Sequence, residues 1–163
     1  MLDLLPSRPA TEFAKEEGVP FLHDARIAGN DPDLAAALKA VDLPTDDLLE
    51  ANRIFFDYRT LGGTLLGYGG YELYDKDVLI RSVVVPQAGR GIGRNLIPLL
   101  LYRAFEGKAR RAWLLTTTAA PFFEKLGFQA TARAEAPESI LSTRQAKSLC
   151  PASATLLSRS IGF

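Results

Sequence analysis

The chain has 163 residues, 47% of them hydrophobic, and its 19 Lys and Arg residues balance its 19 Asp and Glu residues. This length suits one domain with a full hydrophobic core, and a net charge of zero gives no reason to expect a nucleic-acid partner. One Cys and one His exclude an internal disulfide and a typical zinc site, so no metal is predicted. The single Cys fits a reducing, cytoplasmic location.

The ends and apolar runs of the chain predict no membrane contact. The longest apolar run, near Leu96–Tyr102, is too short to span a bilayer. The first residues lack a basic region followed by a sustained apolar core, so we expect no secretion signal. We divide the chain into an N-terminal arm, residues 1–18, and a single domain, residues 19–163.

The first half of the chain predicts a strand, two helical pieces and a series of antiparallel hairpins. Asn30 or Asp31 can cap a helix with Pro32 at its first position. The glycine pair Gly62-Gly63 favours a hairpin turn. The predicted elements are a strand over Phe21–Ile27, a short helical piece over Pro44–Leu49, and strands over Ile54–Arg59, Thr64–Leu73 and Val78–Val85. The last of these is nearly all apolar, as expected of a strand covered on both faces.

The second half predicts alternating helices and strands. A helix follows a glycine-rich turn and ends near Glu106, with Gly107 as its C-cap. Pro98 lies inside it and costs about 3 kcal/mol in a helix interior, which predicts a kink at Arg94–Pro98 or a later start. Further elements are a strand over Ala112–Thr117, a short helix from Pro121 to Gly127, a strand over Phe128–Arg133, a helix over Pro137–Thr143 and a strand over Thr155–Ile161.

The most informative motif is a buried strand that ends in a glycine-spaced turn. Val83–Val85 stops at Pro86, and three alternating glycines then open a helix: Gly89, Gly91 and Gly93. Glycines let backbone N–H groups approach an anion, and the helix dipole favours phosphate at that end. The chain has no Gly-Lys-Ser/Thr, and Arg94 stands where the dinucleotide fingerprint needs glycine, so neither of those phosphate motifs fits. A glycine-rich turn without a ligand is the alternative.

Residues Ala88–Gly93 resemble the pyrophosphate loop of the GCN5-related N-acetyltransferases (GNAT). The family pattern is Gln/Arg-x-x-Gly-x-Gly/Ala, and the match departs from it at Ala88. Phe123–Phe128 is similar to the helix after the family's fifth strand, with Phe123 at the usual Tyr position. The resemblance implies an α/β (α+β) GNAT fold, a mixed, mostly antiparallel sheet of about seven strands flanked by helices. The predicted order, with hairpins first and a CoA-binding β-α-β crossover after, agrees with that fold.

A set of shorter motifs resembles the second type of acetyltransferase found in arsenic-resistance operons. The motifs are Arg81–Val85, Leu114–Phe128, Ala136–Ile140, Thr143–Gln145 and Leu149–Ala154. Ala146 departs from the subtype's expected aromatic residue. The resemblance implies direct transfer from acetyl-CoA, as cosubstrate, to the amine of a small molecule, and Arg81 and Arg144 favour an amino acid or amino-acid-like toxin as that acceptor. It also implies detoxification, and family habit favours a homodimer. The departures at Ala88, Pro98 and Phe123 leave open a non-catalytic acetyl-CoA-binding sensor or partner module.

The resemblance also implies which residues bind the cosubstrate. The backbone amides of Val83–Val85 would hold the pantetheine and polarise the thioester carbonyl. Phe122 and Phe123 would flank the thiol end. The predicted cosubstrate-binding residues are Val83, Val84, Val85, Ala88, Gly89, Arg90, Gly91, Ile92, Gly93, Arg94, Phe122 and Phe123. Phe123 cannot protonate the leaving thiolate, so water, or by residue type Tyr71 or Tyr74, would take that role.

Four polar or charged residues are candidates for catalysis or for binding the acceptor. Glu72 is the candidate base, and the alternative is an exposed carboxylate at a strand end. Arg81 lies inside an apolar run, so it either binds a substrate carboxylate or pairs with Glu72 or Asp77. Arg144 is a second candidate for a substrate carboxylate, and the alternative is a surface arginine. Thr117 is a candidate to offer its hydroxyl to the acceptor.

Overall fold

The computed structural model describes residues 21–85, 91–149 and 153–163, and these form a seven-stranded mixed sheet. The strands are β1 (His23–Ile27), β2 (Arg53–Arg59), β3 (Leu65–Tyr74), β4 (Asp77–Val84), β5 (Arg111–Thr116), β6 (Gln129–Ala130) and β7 (Thr155–Ser160). The order across the sheet is β1-β2-β3-β4-β5-β7-β6, and β4 and β5 form a parallel pair among antiparallel neighbours. The predicted fold class is confirmed, while the predicted arm, residues 1–18, lies outside the described residues.

Four α-helices accompany the sheet in the described part of the chain: α1 (Pro32–Ala40), α2 (Ile92–Glu106), α3 (Ala120–Glu124) and α4 (Glu138–Leu141). Asp31 caps α1 as predicted, because its carboxylate accepts hydrogen bonds from the backbone N–H groups of Asp33 and Leu34. None of the helices described is long and apolar enough to cross a membrane.

Helix α2 does not start late, although it contains Pro98. It begins at Ile92, directly after Gly91, and ends at the predicted C-cap Gly107. Pro98 is exposed on its surface. The alternative of a delayed start is therefore wrong, because the helix tolerates the proline as an internal residue.

The core has two layers, one on each face of the sheet. Helices α2 and α3 cover one face, where Ile80, Val83 and Val85 pack with Leu96 and Phe123. Helix α1 covers part of the other face, and α4 covers another part of it. Between these two clusters the buried side chains are charged: Asp47, Glu72 and Arg81.

Two predicted elements were wrong or too long. Pro44–Leu49 forms turns instead of a helical piece, because Asp47 and Leu48 turn inward and are buried. Strand β6 is confined to Gln129–Ala130 instead of spanning Phe128–Arg133, since Phe128 is fully buried in the core and Arg133 begins a 3₁₀ turn. Tertiary packing and ion pairing thus outweigh the local pattern at both places.

Candidate functional site

The parallel strands β4 and β5 separate after a short paired stretch. Their register pairs run from Asp77 and Arg111 to Leu79 and Trp113. Beyond these, β4 continues to Val84 and β5 to Thr116 without pairing between the two, within the described residues. The backbone groups on the edge of β4 beyond Leu79 therefore do not bond to β5.

A bulge interrupts β4 where it leaves β5. The register with β3 pairs Gly70 with Arg81 but Tyr68 with Val84, so β4 has one residue more than β3 in this interval. Ser82 occupies the bulge with a φ of 57°, a left-handed conformation that side chains disfavour. After it, Val83 and Val85 face the α2 side and Val84 faces α1. The bulge therefore sets which way each residue of the strand end points.

The glycine-rich turn leads from this strand end into α2. Gly91, with φ at 69°, is the N-cap of α2, and no side chain caps the helix in the described part of the chain. No acidic residue lies in the first turn, so the helix N-terminus is suited to an anion such as a pyrophosphate. Ile92 and Gly93 are buried and Arg94 is exposed. The other predicted loop residues, Ala88, Gly89 and Arg90, lie outside the described residues.

The two phenylalanines of α3 have different environments. Phe122 is half-buried and packs close to Gly93, where an added Cβ would lie 3.1 Å from the Phe122 Cζ atom. Phe123 is fully buried, and its ring makes edge-on contacts with Phe122 and Phe128. The structure therefore places Phe122 beside the start of α2 and Phe123 within the core.

Glu72 and Arg81, the two predicted catalytic residues, form a buried ion pair. Arg81 Nη1 donates to Glu72 Oε2 at 2.9 Å, and the other carboxylate oxygen of Glu72 accepts from the Tyr74 hydroxyl at 2.5 Å. Neither charged side chain is exposed. Glu72 is thus not the exposed strand-end carboxylate of the alternative. Because both carboxylate oxygens of Glu72 accept hydrogen bonds and its side chain is buried, this geometry does not favour Glu72 as a general base.

Asp47 is the second acid of this network. Its carboxylate accepts from both terminal nitrogens of Arg81, at 2.6 and 2.7 Å, and from Arg53 at 3.0 Å. Burial opposes its ionisation, but the hydrogen bonds and charges of Arg81 and Arg53 outweigh this and lower the pKa of Asp47 to about 2. Arg81 is therefore a structural partner of Glu72 and Asp47, and Asp77 instead accepts from the Trp113 indole. This geometry does not support substrate-carboxylate binding by Arg81.

The remaining candidates have different surroundings. Arg144 pairs with Glu50 and, at 3.5 Å, with Asp46, and its side chain is 40% exposed. Thr117 is exposed directly after β5. The Tyr74 hydroxyl donates to Glu72, and burial together with this bond raises the pKa of Tyr74 to about 12. Burial also raises the pKa of Tyr71, which packs on the α2 side of the sheet.

Asp47 and Arg53 were missed as parts of the site. The signal that could have indicated them was the charge balance of the strands. Arg53 and Arg81 both lie on strands with buried residues, and Glu72 alone cannot neutralise two guanidinium groups. A second acid was therefore required, and the segment 42–52 supplies it through Asp47.

A sequence model of the Acetyltransferase (GNAT) family matches residues 11–128, which include the bulged strand, the glycine turn and α2. The chain belongs to this family. A search of curated proteins found no match.

Solved structures with the same fold include several coenzyme A complexes. N-acetylglutamate synthase from Neisseria gonorrhoeae, complexed with coenzyme A and N-acetyl-glutamate, is 20% identical, with a TM-score of 0.71 over 88% of this chain. This GNAT chain spans about a third of that synthase, 36% of its length. Tetrahymena GCN5 is 15% identical, with a TM-score of 0.62 over 80% of this chain and 85% of its own. Rv2747 from Mycobacterium tuberculosis, in complex with CoA, is 16% identical, with a TM-score of 0.61 over 86% and 99%.

Proposed function

We propose that this GNAT protein transfers the acetyl group of acetyl-CoA directly to the amine of a small molecule, an amino acid or an amino-acid-like toxin. The observation that carries the proposal is the separation of β4 from β5, followed along the chain by the N-terminus of α2, which no side chain of the described residues caps. The edge of β4 offers backbone groups that are not bonded to β5, and the helix N-terminus offers an anion site. Acetyl-CoA needs both, since it carries a thioester-bearing arm and a pyrophosphate.

The residues at these two places fit the cosubstrate. The backbone N–H groups at the start of α2, including those of Gly91 and Gly93, would bind the pyrophosphate. Arg90 and Arg94 would add positive charge, and Phe122 would line the thiol end. The backbone of Val83–Val85 would bind the pantetheine arm. The thioester supplies an activated acetyl group when acetyl-CoA is bound.

The chain's own contribution to the reaction is mainly backbone donors. The acceptor nitrogen must be neutral to attack the thioester carbon, and the C–S bond then breaks as the new C–N bond is kept. N–H groups of Val83–Val85 that are aimed at the carbonyl oxygen would stabilise the negative charge that develops there. Since Phe123 has no hydroxyl, we propose that water donates the proton that the leaving thiolate takes up. We propose that water also accepts the proton of the amine, because both carboxylate oxygens of Glu72 already accept hydrogen bonds from the chain.

Similarity to other proteins supports the proposed class of acceptor, whereas the two candidate arginines do not. Arg81 and Arg144, the two candidates for a substrate carboxylate, are paired with acids of the chain. Support for an amino acid comes instead from the fold shared with a synthase that holds N-acetyl-glutamate. Support for an arsenic-bearing or phosphinic analogue comes from the motifs that resemble the arsenic-operon enzymes. We also propose a role in arsenic detoxification, a cytoplasmic location and a homodimeric state.

The test is release of free thiol from acetyl-CoA by the purified protein. The acceptor panel comprises amino acids together with phosphinic and arsenic-bearing analogues. We expect release that depends on one acceptor class. A Gly93→Val variant should lose acetyl-CoA binding, since its side chain would meet Phe122, whereas Gly62→Ala, in an open hairpin turn, should not. Acetyl-CoA binding without release from any acceptor would favour the non-catalytic module, and absence of both would refute the proposal.

A further inference from the structure

We infer that Arg81 is a positioning residue, which acts through Ser82 to hold the backbone of β4 at its bulge. The inference rests on the proposed function, because the bulge aims the strand end, Val83–Val85, that is proposed to bind the thioester. Arg81 itself has no exposed surface. Its effect on the reaction therefore passes through the shape of the strand and not through contact with the ligand.

The backbone conformation of the bulge needs a neighbouring group that stabilises it. Ser82 has a φ of 57°, and a residue with a Cβ atom disfavours this conformation in any surroundings. Such residues persist only where neighbouring structure fixes them, and they are concentrated at functional sites. Ser82 is buried, with 3% of its surface exposed, so its side chain is enclosed by the protein.

Arg81 supplies the restraint through its Nε–H group. This group donates to the Ser82 Oγ atom at 3.1 Å. The guanidinium cannot turn away, since its terminal nitrogens bind both oxygens of Asp47 and one oxygen of Glu72. Asp47 belongs to the segment 42–52, so the same arginine connects that segment to the strand. One rigid side chain thereby fixes the bulge and the segment that packs over it.

The packing around Arg81 is built to keep it in place. Its register partner on β3 is Gly70, and the Phe55 ring lies 5.7 Å from the guanidinium carbon. A Cβ atom at Gly70 would lie 2.5 Å from Phe55 Cδ1, so only glycine leaves room for this ring. The aromatic ring, the two acids and Ser82 together restrict the guanidinium to one arrangement.

Two substitutions at Ser82 separate the hydrogen bond from the backbone strain. Ser82→Ala removes the Oγ acceptor but keeps the Cβ atom that disfavours the left-handed φ. Ser82→Gly removes the acceptor and also the strain, since glycine adopts this φ freely. If Arg81 acts by holding the bulge, the alanine variant should be impaired and the glycine variant should recover. Both variants leave the ion pairs of Arg81 intact, so folding is expected to be preserved.

The first measurement is kcat and KM for acetyl-CoA in the thiol-release assay. We expect Ser82→Ala to lower kcat about tenfold or more, because small misplacements of reacting groups have large effects on rate. Its Tm should stay within about 4 °C of the wild type, and Ser82→Gly should regain most of the rate. Arg81→Lys should also lower kcat. Its matched control is Arg103→Lys, which alters a bidentate pair between α2 and Asp24 of β1 and should keep the wild-type rate.

Hydrogen exchange tests the inference without relying on activity. In peptides covering residues 65–74 and 82–85, Ser82→Ala should exchange faster than the wild type, while Ser82→Gly and Arg103→Lys should not. Equal exchange in Ser82→Ala and wild type, or equal loss of kcat in the alanine and glycine variants, would overturn the positioning role. If the wild type neither binds acetyl-CoA nor releases thiol, the proposed function fails, and the exchange rates still decide whether Arg81 holds the bulge.

Discussion

Asp47 and Arg81 lie 34 positions apart in the chain and form a bidentate ion pair with neither side chain exposed to solvent. The pair joins the segment 42–52 to the central strand of the sheet. Arg53 and Glu72 complete a network of two acids and two arginines, so the buried charges cancel. A buried network of this kind stabilises the fold only while every member is present.

Removal of one charge from this network should therefore be costly. We expect Asp47→Asn to lower the free energy of unfolding by about 3–5 kcal/mol, since Arg81 then keeps a buried charge with one acid fewer. The measurement is urea unfolding followed by tryptophan fluorescence, using Trp113 as the reporter. Trp113 is itself buried, so its emission should change on unfolding.

The neighbouring acid provides the control for this prediction. Asp46 pairs with Arg144 at 3.5 Å, and 70% of its side chain is exposed. Exposed pairs contribute little, so Asp46→Asn should change the free energy of unfolding by less than about 1 kcal/mol. Equal effects at the two positions would contradict the assignment of Asp47 as the buried anchor of the segment.

The Asp47 carboxylate should make the free energy of unfolding depend on pH. The pKa of Asp47 is lowered from 3.8 to about 2 in the folded protein, so the group binds a proton more readily when unfolded. It contributes about 2 kcal/mol of stability above pH about 4, which is lost as the pH falls through 2. Unfolding free energies measured between pH 6 and pH 2 should therefore fall less steeply in Asp47→Asn than in the wild type. Identical slopes would show that Asp47 is not the carboxylate responsible.

Glu72→Gln distinguishes a structural acid from a catalytic base. Removal of a general base lowers the rate about 100-fold or more, whereas loss of a buried ion-pair partner lowers stability. Because both oxygens of Glu72 accept hydrogen bonds from the chain, we expect the second outcome. Thiol release per folded molecule should stay well above a hundredth of the wild-type rate while the Tm falls. A large loss of rate with unchanged Tm and acetyl-CoA affinity would restore Glu72 as the base.

Local signals were enough to predict most of the fold. The cap at Asp31, the hairpin at Gly62-Gly63 and the glycine at the end of α2 are set by neighbours in the sequence. The segment Pro44–Leu49 begins with Pro and Thr, which suit a helix start, yet Asp46–Leu49 forms turns, and Asp47 within them accepts a hydrogen bond from Arg81. Long-range pairing of this kind leaves no periodic pattern, so local propensity gave the wrong element there.

The candidate site was predicted less completely for a similar reason. The glycine spacing from Gly89 to Gly93 is a local motif that points to a phosphate site. Arg81 was identified as a charge that must be satisfied, but whether a ligand or the chain satisfies it depends on which acids the fold brings near. The bulge at Ser82 is likewise set by the register between β3 and β4, and a serine in an apolar run does not indicate it.

Gly70 should be essential for packing around the network, although it lies in the middle of a strand. A Cβ atom there would lie 2.5 Å from Phe55 Cδ1 and 2.9 Å from the backbone oxygen of Ile54, so a rigid neighbour must move. We expect Gly70→Ala to lower the free energy of unfolding by about 1–3 kcal/mol, as overpacking does. In Gly62→Ala, the nearest atom is Thr60 Oγ1 at 3.8 Å, and the change should stay within about 0.5 kcal/mol. Denaturant unfolding of both variants checks this, and a neutral Gly70→Ala would show that Phe55 can shift without disturbing Arg81.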